Sequence, residues 1–308
     1  MEYNLVVGKD EFSRKLAEQL NTKALSFHVI IYPEGEIKPT LELSSTKEVE
    51  GKKVLVVSRT DRFDPKPNDL ITETELVVHT LKELGASRID IFMPYMFYAR
   101  QDKMFLLGEP VSLAAKAEQF ESWGISNLFT FNSHLFSKED VSLQDYFNRI
   151  KVHDISAAKI FSDYLQTMNL VDPFVLGPDE GSKKMVSELA RYLNAEYGFL
   201  KKERDRVSGK IKIETPDFLN NLKGRDIVIY DDLTATGGTV SKVYEIIKDC
   251  EVKRVFVCLV HLLTENAIKK LKNISFDEII TTDSLAGKTD DFTELSLIPS
   301  ISEYISSL

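Results

Sequence analysis

Ile227-Val228-Ile229-Tyr230-Asp231-Asp232-Leu233-Thr234-Ala235-Thr236-Gly237-Gly238-Thr239 decides the fold class of this 308-residue chain. Four consecutive apolar residues, three of them β-branched, read as a strand buried on both faces, the kind that parallel sheets use. Two carboxylates stand at its end. A turn of small residues then feeds a helix starting near Val240. Gly237 and Gly238 let the backbone approach an anion closely. Thr234, Thr236 and Thr239 offer hydroxyls, and Ala235 is small enough to leave the loop open. The helix N-terminus adds free N–H groups and a favourable dipole. Such a loop holds a phosphate, while Asp231 and Asp232 suit sugar hydroxyls or a metal. Taken singly, Asp-Asp caps helices and Gly-Gly turns chains; after a strand and together they point to a site.

The same organisation occurs twice. Gly51-Lys52-Lys53-Val54-Leu55-Val56-Val57 parallels Gly224-Arg225-Asp226-Ile227-Val228-Ile229-Tyr230. Upstream, Val6-Val7-Gly8-Lys9-Asp10-Glu11-Phe12-Ser13 resembles Val175-Leu176-Gly177-Pro178-Asp179-Glu180-Gly181-Ser182, 169 residues on from Gly8 to Gly177. Downstream come Arg88–Phe92 and Arg254–Cys258, then Leu128–Phe131 and Glu278–Thr281. Each half reads strand, helix, strand, loop, helix, strand, helix, strand. This predicts an α/β protein of two tandem domains, each a mostly parallel sheet flanked by helices. The halves are residues 1–151 and 152–308, with the chain crossing back at its end. The copies differ where chemistry would sit: the second has Asp231-Asp232 and the first has Ser58-Arg59.

Composition narrows the function classes. Hydrophobic residues make up 43% and charged residues 28%, ordinary for a globular chain. Two cysteines, Cys250 and Cys258, exclude a disulfide framework and suit the cytoplasm. The longest apolar run, near Val255–Leu263, falls short of the roughly 20 residues of a membrane span. The polar Met1-Glu2-Tyr3-Asn4 start is unlike a signal peptide. A net charge of -9 argues against a broad nucleic-acid surface. His28, His79, His153 and His261 lack ligand spacing and read as structural. Trp123, after a helical Leu113–Glu121, reads as packing between helix and sheet.

The Ile227–Thr239 stretch resembles the phosphoribosyl pyrophosphate (PRPP) binding motif of type I phosphoribosyltransferases. Met93-Pro94-Tyr95-Met96-Phe97-Tyr98-Ala99-Arg100-Gln101-Asp102-Lys103, followed by Gly108-Glu109-Pro110-Val111-Ser112, is similar to the Pro-Tyr-x-x-Tyr-Ala-Arg-Gln-Asp region of ribose-phosphate pyrophosphokinases. Pro67-Asn68-Asp69 is similar as well, and the resemblance covers nearly the whole chain. It implies two phosphoribosyltransferase-like domains. It also implies transfer of the β,γ-diphosphoryl group of Mg-ATP to the anomeric hydroxyl of ribose 5-phosphate, giving PRPP and AMP. Carried over by position, Asp231 and Asp232 would hold the ribose hydroxyls, and Thr234, Ala235, Thr236, Gly237, Gly238 and Thr239 the 5-phosphate.

His134 and Asp179 match the family's magnesium positions, and His134 also belongs to the ATP set. Arg100 and Gln101 match its nucleotide contacts. Tyr32-Pro33-Glu34-Gly35-Glu36 matches a loop that serves a neighbouring subunit's ATP site through an aromatic ring and two acids (here Tyr32, Glu34 and Glu36), implying a homo-oligomer, dimer or hexamer. In Lys201-Lys202-Glu203-Arg204-Asp205-Arg206, Lys202 with Arg204 fits the family's catalytic Lys-x-Arg pair. Arg204 with Arg206 fits if the loop is read two residues later. The polar Val207-Ser208-Gly209 that follows suits a closing lid. Asn132 departs from a common aspartate beside His134. Two rivals are open at this point: a silent regulatory subunit, and a phosphoribosyltransferase that consumes PRPP.

Overall fold

The Ile227–Tyr230 run lies buried inside a wholly parallel sheet, as its composition predicts. A computed structural model describes residues 1–64, 66–200, 202–204, 211–213 and 216–308, with 202–204 and 211–213 described by backbone alone. Two compact units divide the chain. Met1–Leu135, Val141–Ile155 and Ser296–Leu308 form the first; Phe136–Asp140 and Ser156–Leu295 form the second.

Unit 1 runs β1 (Leu5–Val7), α1 (Glu11–Gln19), β2 (Lys23–Leu25), an antiparallel ribbon of β3 (Phe27–Ile31) and β4 (Ile37–Leu41), then β5 (Lys53–Val57). It continues through α2 (Pro67–Glu83), β6 (Arg88–Phe92), α3 (Ser112–Trp123), β7 (Asn127–Phe131) and β8 (Lys151–Ile155). Unit 2 begins with α4 (Ala158–Gln166), β9 (Phe174–Gly177), α5 (Lys183–Leu193) and β10 (Glu196–Phe199). A second ribbon, β11 (Lys202–Arg204) and β12 (Ile211–Ile213), precedes β13 (Asp226–Thr234), α6 (Gly238–Ile247), β14 (Arg254–Leu262), α7 (Glu265–Lys272), β15 (Glu278–Thr282) and β16 (Thr293–Leu295). The closing helix α8 (Ile298–Ser307) belongs to unit 1.

The two six-stranded sheets have the same order, β2-β1-β5-β6-β7-β8 and β10-β9-β13-β14-β15-β16. Their registers match as well. Leu5 pairs with Val54 in unit 1, and Phe174 pairs with Ile227 in unit 2. The turn after the first strand repeats too. A Cβ on Gly8 would meet Ser13 Cβ at 2.4 Å, and one on Gly177 would meet Ser182 Oγ at 2.0 Å. Glycine is required at both because the following helix folds back tightly onto the strand end. In each sheet the chain winds outward in opposite directions from its first and third strands. That reversal opens a crevice beyond their carboxyl ends.

Unit 1 buries a polar network at the foot of its sheet. The Asp90 carboxylate accepts from Tyr3 Oη at 2.6 Å, from Asn127 Nδ2 at 2.8 Å and from Arg88 Nε at 2.9 Å. With its amide nitrogen committed to Asp90, Asn127 presents Oδ1 to His153 Nε2 at 3.0 Å, so this nitrogen carries the proton. Nδ1 then accepts from Tyr304 Oη of α8 at 3.1 Å. The N-terminal ammonium also donates to Ile305 O at 2.8 Å, which fastens α8 to this unit. The buried His153 and His261 are thus structural, His261 facing the Ser284 hydroxyl at 2.9 Å. Trp123 is the last residue of α3 rather than beyond it, and stacks on Phe120 at 4.4 Å.

Burial, with Lys151 nearby, pushes the His153 imidazole down to about 4. Unfolded, it takes up a proton near 6.5 that the folded chain refuses down to about 4. Stability is therefore lost as pH falls through that window, by about 2 kcal/mol at pH 5. Urea unfolding at pH 7.5 and 5.0 should show a smaller acid loss in His153→Gln than in the parent; equal losses would remove His153 from the account.

Candidate active site

The candidate phosphate loop begins inside a strand. Asp231 and Asp232 do not follow β13 but lie within it, because pairing with β14 continues through Asp231 opposite Leu259, Leu233 opposite His261 and Thr234 opposite Leu262. Asp231 is buried and Asp232 half-buried. The turn is then held by its own hydroxyls. Gly237 N donates to Thr234 Oγ1 at 2.9 Å, Gly238 N to Thr236 Oγ1 at 3.3 Å, and Thr264 Oγ1 to Ala235 O at 2.6 Å.

Gly237 adopts a left-handed φ of 68°, and a Cβ there would stand 3.2 Å from Leu271 Cγ. Only glycine satisfies both conditions. The helix α6 starts at Gly238, earlier than the expected Val240. Its first intrahelical bond is made by Ser241 N to Gly237 O at 3.0 Å, so the Thr239 and Val240 N–H groups precede the ladder and face outward at the positive end of the dipole. The free N–H groups and dipole of α6 thus open beside the threonine-lined turn, a setting that favours an anion.

Across the crevice stands Asp179, just after β9. Its backbone oxygen accepts from Ser182 N at 3.1 Å and Ser182 Oγ at 2.5 Å, and its half-buried carboxylate is near enough to Asp231 to act on it. Burial raises the Asp231 carboxyl well above its usual range, and the negative charges of Asp232 and Asp179 raise it further. Asp232 and Asp179 thus both act on the Asp231 carboxyl. Oxygen donors of this kind suit Mg²⁺. Among the described residues no group of three or more His, Cys, Asp or Glu is placed to hold a metal alone.

Unit 1 shows the same positions resolved differently. By the matched registers, Asp10 corresponds to Asp179, Ser58 to Asp231 and Arg59 to Asp232. Arg59 Nη1 forms an ion pair with Asp10, and the guanidinium lies 4.1 Å from the centre of the Phe12 ring. This copy carries its own cation. Its loop holds Asp61 and Asp64, and α2 opens on Pro67, which has no N–H to offer an anion. The sequence contrast between Ser58-Arg59 and Asp231-Asp232 signals a difference; the ion pair that closes the first copy appears only in the structure.

The residues expected to contact ATP all lie in unit 1. Arg100 is exposed and Gln101 half-buried, on the loop beyond β6. His134 follows β7, in a turn pinned by Ser133 N to Asp154 Oδ1 at 3.0 Å and Ser133 Oγ to Asp154 Oδ2 at 2.5 Å. Asn132 has φ 35°, a left-handed conformation that asparagine tolerates better than most residues, and donates its N–H to Ile155 O at 2.9 Å. Tyr32, Glu34 and Glu36 sit apart from these, exposed at the tip of the β3–β4 ribbon. There Tyr32 N donates to Glu36 O and Gly35 N to Tyr32 O, both at 2.8 Å. Of the expected catalytic residues, Lys202 and Arg204 lie on β11, with Lys202 opposite Ile213 and Arg204 opposite Ile211. Arg206 lies outside the described residues.

The two copies make different predictions for stability. Arg59→Ala strands Asp10 without its cation and should lower the unfolding free energy by about 2 kcal/mol. Asp231→Asn removes a carboxyl whose charge burial and Asp232 disfavour, and should cost less than Arg59→Ala in the ligand-free protein. Urea titration of both variants checks this, and a comparable loss in Asp231→Asn would mean that the Asp231 carboxyl is stabilising where it stands.

Known proteins give the site a context. The family model for the N-terminal domain of ribose phosphate pyrophosphokinase matches residues 6–124, and that for the phosphoribosyl transferase domain matches residues 148–293. A ribose-phosphate pyrophosphokinase of Saccharolobus solfataricus is 31% identical over 278 residues, 88% of each chain. One of Methanosarcina acetivorans is 31% identical over 296 residues, 96% of this chain and 95% of that one. The crystal structure of phosphoribosylpyrophosphate synthetase from Mycobacterium smegmatis shares the fold, with a TM-score of 0.83 at 22% identity over 100% of this chain and 98% of that one. With the acid crevice and phosphate loop of unit 2 in hand, these likenesses show that the chain belongs to the ribose-phosphate pyrophosphokinase family.

Proposed function

We infer that this chain is a ribose-phosphate diphosphokinase, moving the β,γ-diphosphoryl group of ATP to the anomeric hydroxyl of ribose 5-phosphate to give PRPP and AMP. The observation that carries this reading is the unit 2 crevice, where buried acids adjoin a threonine- and glycine-lined anion loop. The sugar's hydroxyls donate to Asp231 and Asp232. Its 5-phosphate takes the place offered by Thr234, Ala235, Thr236, Gly237, Gly238 and Thr239, where N–H groups and the dipole of α6 favour an anion.

In the reaction the anomeric oxygen attacks the β-phosphorus, and the bond from that phosphorus to the α–β bridging oxygen breaks, leaving AMP. Charge builds on the equatorial oxygens and on the departing AMP phosphate. Lys202 and Arg204, from β11, are the cations assigned to that charge, with Arg206 the alternative partner. Magnesium, when bound, supplies positive charge to the polyphosphate, with Asp179 and His134 each a candidate ligand. Arg100 and Gln101 hold the nucleotide. Exposure of Tyr32, Glu34 and Glu36 at a ribbon tip supports their serving a second copy, and hence a homo-oligomer with a dimer or hexamer as its form. Two free cysteines support a cytoplasmic setting.

Purified protein with Mg-ATP and ribose 5-phosphate should yield AMP and PRPP in equal amounts by chromatography. ADP in place of AMP would make it a simple sugar kinase, and binding without product a silent subunit. Lys202→Ala and Arg204→Ala should each reduce kcat at least about a hundredfold with little change in ribose 5-phosphate affinity, because they act on charge that develops in the transition state. Asp231→Ala should instead weaken sugar binding; an unchanged affinity would undo the ribose assignment.

A further inference from the structure

Gln101 is held more firmly than a surface nucleotide contact needs to be. Its N–H donates to Tyr98 O at 3.0 Å, and its carbonyl accepts from Leu113 N at 3.2 Å. Its side-chain oxygen Oε1 accepts from the Ser112 hydroxyl. These bonds tie the middle of the loop between β6 and α3 to the start of α3. Within the loop, Glu109 Oε2 accepts from Phe105 N at 3.2 Å and from Leu106 N at 2.9 Å, and Tyr146 Oη donates to Asp102 O at 2.6 Å. Gln101 Nε2 has no hydrogen-bond partner among the described residues.

Ser112 is the first residue of α3, one past the N-cap Val111, and no side chain caps this helix. The Ser112 hydroxyl reaches outward to the amide. A primary amide has one acceptor and one donor end, and nothing intrinsic decides which of them faces a ligand. With Oε1 engaged by Ser112, the end left over is the NH₂.

We propose that Ser112 is a positioning residue of the nucleotide site. It locks the Gln101 amide so that two N–H donors, and no acceptor, meet ATP, which must then present an acceptor atom there, a phosphate oxygen or a ring nitrogen. The proposal rests on the reading that Gln101 touches the nucleotide. It adds the direction of that hydrogen bond and the residue that sets it. The locked rotamer also removes conformational freedom that free glutamine would lose on binding.

The test is steady-state kinetics with both substrates varied, melting curves confirming that each variant is folded. Ser112→Ala should raise KM for ATP three- to tenfold, the range of one neutral hydrogen bond, with kcat and KM for ribose 5-phosphate within twofold of the parent. Ser112→Thr, which keeps the hydroxyl, should restore it. Gln101→Glu should bind ATP no better than Gln101→Ala, since a carboxylate accepts from Ser112 but offers no donor to ATP. In the Gln101→Ala background, Ser112→Ala should add nothing. Additive effects there, or ATP binding by Gln101→Glu at parental strength, would overturn the proposal. An unchanged KM for ATP in Gln101→Ala would overturn the nucleotide-site reading itself. A raised KM in Gln101→Ala with parental behaviour in Ser112→Ala would overturn the positioning role alone.

Discussion

Parallel pairing between β9 and β13, with Phe174 opposite Ile227 and Leu176 opposite Ile229, is the constraint on which the chemistry of the second unit depends. It aligns two strand ends that are about fifty residues apart in sequence. Asp179 after one strand and Asp231 in the other thereby share a crevice. Because the chain winds away from these strands in opposite directions, no crossover helix covers that place. The loop into α6 then sets its N–H groups beside the acids. The Thr234–Gly238 turn thus stands next to the carboxylates Asp231 and Asp232.

Duplication supplies an internal control. The same register in unit 1, Leu5 opposite Val54, brings Asp10 and Arg59 to the equivalent place. There the charge is balanced within the chain, and the helix that follows begins on Pro67. Electrostatics therefore separates the copies where the folds do not. In one crevice Arg59 pairs with Asp10; in the other, Asp232 and Asp179 raise the proton affinity of Asp231. Unit 1 exposes the ribbon tip at Tyr32–Glu36 and pins the loop at Gln101.

Much of this is legible in the residues. The β-branched run Ile227–Ile229, the repeated Gly–Ser spacing at Gly8/Ser13 and Gly177/Ser182, and the Thr–Gly turn specify parallel sheets, a tandem organisation and an anion loop from local chemistry alone. The places where sequence reasoning stopped short share a physical cause. β13 runs past its acids to Thr234 because β14 extends alongside it, a pairing invisible in either segment alone. Trp123 closes α3 because the helix continues until Gly124 adopts φ 71°.

Local patterns of size, branching and charge were enough to determine the fold class, the duplication, the phosphate loop and the family resemblance, because each depends on residues close together in the chain. Tertiary structure alone decided which charges meet. That Arg59 neutralises Asp10, that Asp179 presses on Asp231, that His153 stays neutral between Asn127 and Tyr304, and that Ser112 takes the oxygen of Gln101 all follow from contacts between distant segments. Hydrogen bonds and ion pairs act over a few ångströms, and only the folded register brings those groups within reach.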